Sequence, residues 1–208
     1  MQPFVIHSFS KNSFILSHIG AIIICERKVP ALKPQMQSIT EGREHIQTPE
    51  QFVIRSLLPE DTEMIYEMLK HNTIFYQYHP PMVTVESILE DMEALPPGKD
   101  YEDKHYIGFF QNNTLLAVMD LIENYPNPQT AYIGFFSVNA DFQGNGIGTA
   151  IISDTVDHLA QLGFKKIRLG IDKGNPQSKA FWTKNGFTLT GEEIPNDISS
   201  YLMMERET

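Results

Sequence analysis

This 208-residue chain predicts a mixed α/β (α+β) fold, a sheet with helices packed on it. Three observations lead there. Segments with period-two alternation and segments with helical spacing follow one another along most of the chain, the pattern of helices laid on a sheet. With 41% hydrophobic and 20% charged residues the composition is globular, and the length suffices for one domain with its own core. A single cysteine, Cys25, excludes an intramolecular disulfide framework and a cysteine-built zinc site, so burial must hold the fold together.

Residues 1–50 stand apart as an N-terminal extension to a body of residues 51–208. Residues 4–9 and 14–25 are rich in β-branched and aromatic side chains and read as a strand pair. Residues 29–49, with Pro30, Pro34, Gly42 and Pro49, read as a linker. The apolar stretch 14–25 contains Ser17, His18 and Gly20 and falls short of the roughly 20 residues of a membrane span. Only Lys11 precedes it, a poor start for a secretory signal. A cytoplasmic protein with no membrane partner is the expectation.

The body opens with a strand at 52–57. Pro59, Glu60, Asp61 and Glu63 then suit the first turn of a helix, and Ile65, Met68 and Leu69 supply its apolar face. Residues 71–83 read as an irregular loop. Thr84 caps a second helix reaching about residue 95, with Ile88, Met92 and Leu95 at helical spacing. Residues 106–110 and 114–123 flank Gln111-Asn112-Asn113 as a hairpin, and 131–139 is a further strand.

A glycine-rich turn leads into a helix over about 147–162. Ile147, Ile151, Thr155, Leu159 and Leu162 form its stripe, and Gly163 is its stop. Residues 166–172 alternate as a strand. Asn175, Pro176 and Gly186 are the cap, first residue and stop of the next helix. Residues 187–190 and 201–205 finish as strands. The order is β-α-α-β-β-β-α-β-α-β-β, and an exposed last strand offers an edge for a homodimer.

The net charge is −10, and residues 1–50 hold five basic against four acidic side chains, so the acidic excess lies in the body. That balance argues against a general nucleic-acid binder and favours encounter with cations. Against the trend, Lys165, Lys166, Arg168, Lys173, Lys179 and Lys184 cluster in one stretch, a local attraction for phosphates. The seven histidines are scattered, and no metal site is expected.

The sharpest motif is Gln143-Gly144-Asn145-Gly146-Ile147-Gly148, between a strand and a helix. Its glycines allow close backbone approach, and the free N–H groups of a helix start attract a pyrophosphate. Neither Lys followed by Ser/Thr nor a third glycine at dinucleotide spacing follows, which removes the P-loop and Rossmann readings. A coenzyme A turn and a ligand-free turn both remain.

Residues 138–148 closely resemble the cofactor signature of the GNAT superfamily of N-acetyltransferases. The run Asn175-Pro176-Gln177-Ser178-Lys179-Ala180-Phe181-Trp182, followed by Gly186-Phe187, resembles that family's second cofactor segment. The resemblance covers the chain from about residue 51 onward. It implies a GNAT-like acyl-CoA N-acyltransferase fold, a mixed twisted sheet of about six to seven strands with helices on both faces. It also implies acetyl-CoA as acyl donor and a primary amine as acceptor, attacked directly in a ternary complex.

By the same resemblance, Phe136, Ser137 and Val138 would end a strand that splays from its neighbour and offer backbone to the pantetheine arm. Gln143, Gly144, Asn145, Gly146, Ile147, Gly148 and Thr149 would hold the pyrophosphate. Asn175, Ser178 and Lys179 would complete the cofactor site. Phe75, Tyr76, Tyr78 and His79 in the loop, with Tyr132, would shape the acceptor site for a small-molecule or protein amine, cationic by the body's charge.

Two positions depart from the family pattern. Trp182 stands where many members have a tyrosine acid, and indole does not titrate usefully. Tyr132 or its neighbours stand where many have a glutamate base, which leaves Glu123, at the end of the preceding strand, as the candidate base. These departures keep a second function in view, a coenzyme A-binding sensor or interaction module without turnover.

Overall fold

The computed structural model describes residues 52–208. The strand pair and linker expected in residues 1–50 lie outside the described residues. In chain order the elements are β1 (Val53–Ser56), α1 (Thr62–Leu69), α2 (Thr73–Tyr78), α3 (Val85–Glu93), β2 (Lys104–Gln111), β3 (Thr114–Ile122) and β4 (Thr130–Val138). They continue with α4 (Ile147–Gln161), β5 (Lys166–Asp172), α5 (Pro176–Lys184), β6 (Thr188–Pro195) and β7 (Ser200–Glu207). The seven strands form one mixed sheet in the order β1-β2-β3-β4-β5-β7-β6.

Local chemistry sets most boundaries. Asn112 (φ 49°) and Asn113 (φ 63°) form the two-residue turn between β2 and β3, the left-handed pair that matches strand twist. Thr84 Oγ1 caps α3 by accepting from Ser87 N at 3.1 Å. α3 ends at Glu93, before the expected residue 95, because Ala94 turns extended ahead of Leu95-Pro96. Asn175 Oδ1 caps α5 by accepting from Ser178 N at 3.0 Å. Gly163 (φ 92°) ends α4 as expected.

Side chains alternate between two apolar layers, one on each face of the sheet. Ala117, Met119 and Leu121 of β3 join Ile151, Ile152, Val156 and Leu159 of α4 and Trp182 of α5. Val118, one residue along, joins Ile65, Met68 and Leu69 of α1 and Ile88 of α3 on the other face. Each large aliphatic side chain buried in these layers contributes about 1.5–3 kcal/mol. The α4 stripe is rotated from the expected one: Val156 and Ile152 are buried, while Leu162, past the last helical residue, is 56% exposed.

Two expectations are corrected. Residues 73–78 are helical, not irregular. The last strand is not an edge: β7 lies between β5 and β6, pairing antiparallel with both, and β6 is the exposed edge. The chain runs out along β6 first, and β7 then folds back antiparallel between β6 and β5.

α1 and α3 pack against β2 and β3, while α2 and His79 reach β4 and β7 through Phe75–Phe135 and His79–Tyr201. The cleft described next lies among those side chains.

Candidate active site

β4 and β5 are parallel neighbours for only part of their length. Pairing runs from Thr130↔Lys166 to Ile133↔Leu169 and stops, although β4 continues to Val138 and β5 to Asp172. The two strand ends part there. On its other edge β4 stays paired with β3 as far as Val138. Asn139 N donates to Leu116 O at 2.8 Å on that side. By alternation, Phe136 and Val138 turn their N–H and C=O groups into the gap.

Side chains from three elements gather at the end of β4. Val138 O accepts from Gln143 Nε2 at 2.9 Å and from Asn72 Nδ2 at 3.1 Å. Asn72 Oδ1 accepts from Gln143 Nε2 at 2.7 Å, and Asn72 Nδ2 also meets Ser137 Oγ at 2.5 Å. Each amide nitrogen thus has two partners for its two hydrogens. The glutamine of the glycine motif is a tether from the turn to the strand, and Asn72 ties the α1–α2 joint to both.

The glycines of the motif serve two purposes. Gly144 (φ 80°) and Gly146 (φ 83°) are left-handed, and a Cβ on either would meet nothing within 4 Å, so conformation requires them. Gly148 is a matter of space: a Cβ there would lie 3.1 Å from Phe181 and 3.2 Å from Val138. The first helical bond of α4 is Ala150 N to Gly146 O at 3.0 Å. The amides of Ile147, Gly148 and Thr149 precede it, and no side chain caps the start. This is an anion site by geometry and by the helix dipole. Beside it, a hollow of about 340 Å³ is lined by Thr149, Ser153, Lys184 and Arg206 among others.

A cleft of about 540 Å³ runs through the gap. Ser178 and Trp182 reach it from α5, while Phe75, His79 and Asp91 reach it from the α2–α3 side. The parting of β4 from β5 therefore joins one face of the sheet to the other. Trp182 is part of an aromatic column, 5.9 Å from Phe136 and 5.0 Å from Phe187, on the α5 side of the cleft.

The expected acceptor aromatics divide. Phe75 and His79 line the cleft, with rings stacked at 5.1 Å; Tyr76 and Tyr78 do not line it. Phe75 and His79, four positions apart, meet on one side of α2, while Tyr76, one position on from Phe75, is turned away. His79 Nδ1 lies 3.1 Å from Asp172 Oδ1, linking the end of α2 to the end of β5. Tyr132 lines the cleft, and burial pushes its phenol above the ordinary range. Asn175 is buried at the head of α5, and Lys179 is exposed on that helix.

Glu123 does not line the cleft; its Oε1 lies 2.8 Å from His105 Nε2. The carboxyls that do line it are Asp91, Asp120, Asp172 and Glu192. Asp172 faces His79, and Glu192 pairs with Arg168. Asp120 Oδ2 accepts from Lys104 Nζ at 2.8 Å. Burial pushes the Asp120 carboxyl up, opposed by Lys104. Asp91 opens onto the cleft. Loss of water among the surrounding walls, and then the charge of Asp120, push its carboxyl up to about 6.

Sequence reasoning missed Asn72, Asp91, Asp120 and Asp172. Asp120 did leave a signal, a lone charge within the apolar run 115–122. The basic cluster is also half spent: Lys166, Arg168 and Lys173 pair with Glu205, Glu192 and Glu193. Among the described residues, no helix is long and apolar enough to cross a membrane.

The acetyltransferase (GNAT) family model matches residues 63–187, more than half of the chain. No curated protein sequence matches at a significant level. Solved structures do. An acetyltransferase from Thermus thermophilus aligns with a TM-score of 0.62 at 17% identity, covering 76% of this chain and 98% of that one. The PaiA N-acetyltransferase of Thermoplasma acidophilum, in complex with coenzyme A, aligns at 0.57 with 19% identity over 76% and 100%. Spermidine N-acetyltransferase from Vibrio cholerae, in complex with CoA and spermine, aligns at 0.57 with 18% identity over 76% and 95%. At these identities the likeness establishes the fold.

Proposed function

The chain belongs to the acetyltransferase (GNAT) family, and from that premise we propose that it moves an acetyl group from acetyl-CoA to a primary amine within a ternary complex. The observation that carries this reading is the parting of β4 from β5 immediately beside the uncapped start of α4. One offers main-chain groups to an amide-bearing arm, the other an anion site for its pyrophosphate.

In this reading Phe136, Ser137 and Val138 flank the arm, with the Phe136 backbone free toward the gap and the Val138 carbonyl already engaged by Asn72 and Gln143. The amides from Gly144 to Thr149 receive the pyrophosphate. Lys184 and Arg206 beside Thr149 supply positive charge for a further phosphate, and Asn175, Ser178 and Lys179 border the arm from α5. An N–H in the gap can also stabilise the developing oxyanion of the thioester carbonyl. The acceptor enters from the Phe75–His79 side. Its class is a cationic amine, small or borne on a protein, in keeping with the acidic body and with the spermine found in the Vibrio cholerae relative.

Calorimetric titration with acetyl-CoA, followed by thiol release over a panel of primary amines, tests the reading. Binding with amine-dependent release is expected. Binding without release for any amine leaves a coenzyme A-binding module, and no binding by folded protein removes both. Gly146→Asp places a carboxylate on the anion site. It is expected to weaken acetyl-CoA by about thirtyfold, equivalent to ~2 kcal/mol. Unchanged affinity in the folded variant would move the pyrophosphate elsewhere.

A further inference from the structure

Two carboxyls in the cleft are left unused by the cofactor contacts, Asp91 on α3 and Asp120 on β3. Asp120 is 8% exposed, and its Lys104 partner has a side chain only 4% exposed. That ion pair occupies Oδ2. Oδ1 is buried and meets no hydrogen-bond donor among the described residues. A buried acceptor without a donor costs about 1–3 kcal/mol, so an outside donor there is favoured.

The neighbouring strand shows which oxygen of Asp120 faces the cleft. Gly134 is absent from the left-handed glycines, so backbone freedom does not account for it. Space does: a Cβ on Gly134 would lie 2.9 Å from Asp120 Oδ2. Gly134 is exposed, lines the cleft, and is the first β4 residue beyond the last β5 pair, Ile133↔Leu169. It is also the residue skipped in the register with β3, where Asp120↔Phe135 is followed by Leu121↔Ile133. The glycine is therefore a gap in the cleft floor at the point where the strands part, and the oxygen against it is Oδ2, the one that also accepts from Lys104.

We infer that Asp120, reached through the Gly134 gap, takes the proton of the acceptor ammonium, and that Asp91 holds that ammonium at the cleft wall. This rests on the acetyl-transfer reading above. The acceptor arrives as R–NH3+, and one proton passes to the Asp120 carboxylate. The freed lone pair forms the C–N bond at the thioester carbonyl carbon. The C–S bond breaks with its electron pair on sulfur, and the second proton lost by nitrogen ends on that sulfur. The products are the N-acetyl amine and the free thiol, with Asp120 protonated and ready to return its proton to solvent.

Several groups act on Asp120 from the elements around it: Lys104 and His105 from β2, Asp91 from α3, with Tyr106 on β2 and Tyr132 on β4 also coupled to it. Burial outweighs Lys104 and His105, which both pull the other way, and leaves the carboxyl above the ordinary range, a stronger base than an exposed aspartate. Glu123, the other candidate, is paired with His105 away from the cleft.

The test uses the full chain with acetyl-CoA, and spermine and a lysine-containing peptide as amines. Asp120→Asn is expected to lower kcat by about 100-fold or more and to abolish the acid limb of its pH profile. Its acetyl-CoA affinity, read by calorimetry, should stay within about twofold of wild type. Because Asp120→Asn also leaves Lys104 without its counter-ion, Gly134→Ala provides a second route, closing the gap while keeping the carboxyl. It is expected to show the same loss of kcat at retained cofactor affinity. Asp91→Asn should raise the amine KM by about fivefold, the equivalent of ~1 kcal/mol.

Wild-type turnover in both Asp120→Asn and Gly134→Ala overturns the inference. So does loss of transfer in Glu123→Gln with Asp120→Asn active, whereas binding of acetyl-CoA without release by either amine in wild type is a failure of the parent reading. So is failure of wild type to bind acetyl-CoA.

Discussion

Asp91 has a folded-state pKa raised to about 6, and the sign of that shift makes a stability prediction. The folded protein holds this proton more tightly than the unfolded chain. The resulting stability is fully present below the ordinary aspartate range near pH 4 and is lost as pH rises through about 6. Asp91→Asn should therefore raise Tm at about pH 7.5 and leave it unchanged at about pH 4. Thermal unfolding at the two pH values checks this, and an equal effect at both would assign it to something other than charge. Asp61 shows the opposite sign. Hydrogen bonds from Arg55 at 2.7 and 2.8 Å hold its carboxyl below the ordinary range, so its contribution is present at neutral pH and lost on acidification. Side chains of this kind were unevenly legible. Asp120 stands out in an apolar strand, whereas Asp91 looks like any solvent-facing helix position.

Helix α2 and the Asn72 that precedes it show what a segment gains from tertiary support. Six residues cannot hold a helix by themselves, and the sequence of 71–83, with its aromatics and prolines, gives no helical stripe. What fixes the segment is distant: Asn72 bonds to residues of β4 and the glycine turn, and His79 to the end of β5. Asn72→Ala leaves the Gln143 amide and the Val138 carbonyl short of a partner. It should cost about 1–3 kcal/mol in urea unfolding and weaken acetyl-CoA by loosening the turn. Unchanged unfolding and affinity would count against the tether. Elements with local punctuation were legible to within a residue or two. α5 lies between its asparagine cap and Gly186, and β2–β3 close on two left-handed asparagines. The place of β7 inside the sheet was not legible, because a hairpin's sequence does not state which of its strands meets β5.

At the scale of the whole molecule the net charge of −10 surrounds a cleft whose carboxyls outnumber its cations. A cationic acceptor is drawn in by a field that salt screens over about 8 Å at physiological strength. The KM for spermine should rise between low and high salt with kcat little changed, and a salt-independent KM would remove long-range attraction from the account. The sheet itself is two antiparallel blocks, β1–β4 and β5–β7–β6, joined through four parallel residue pairs and the apolar layer beneath α4. Amide hydrogen exchange reads that seam directly. The amides of Phe136 and Val138, which turn into the gap, should exchange far faster than those of the paired residues up to Ile133. Acetyl-CoA bound in the gap should slow that exchange, so that the ligand, while it stays, becomes the missing rung between two halves of one sheet.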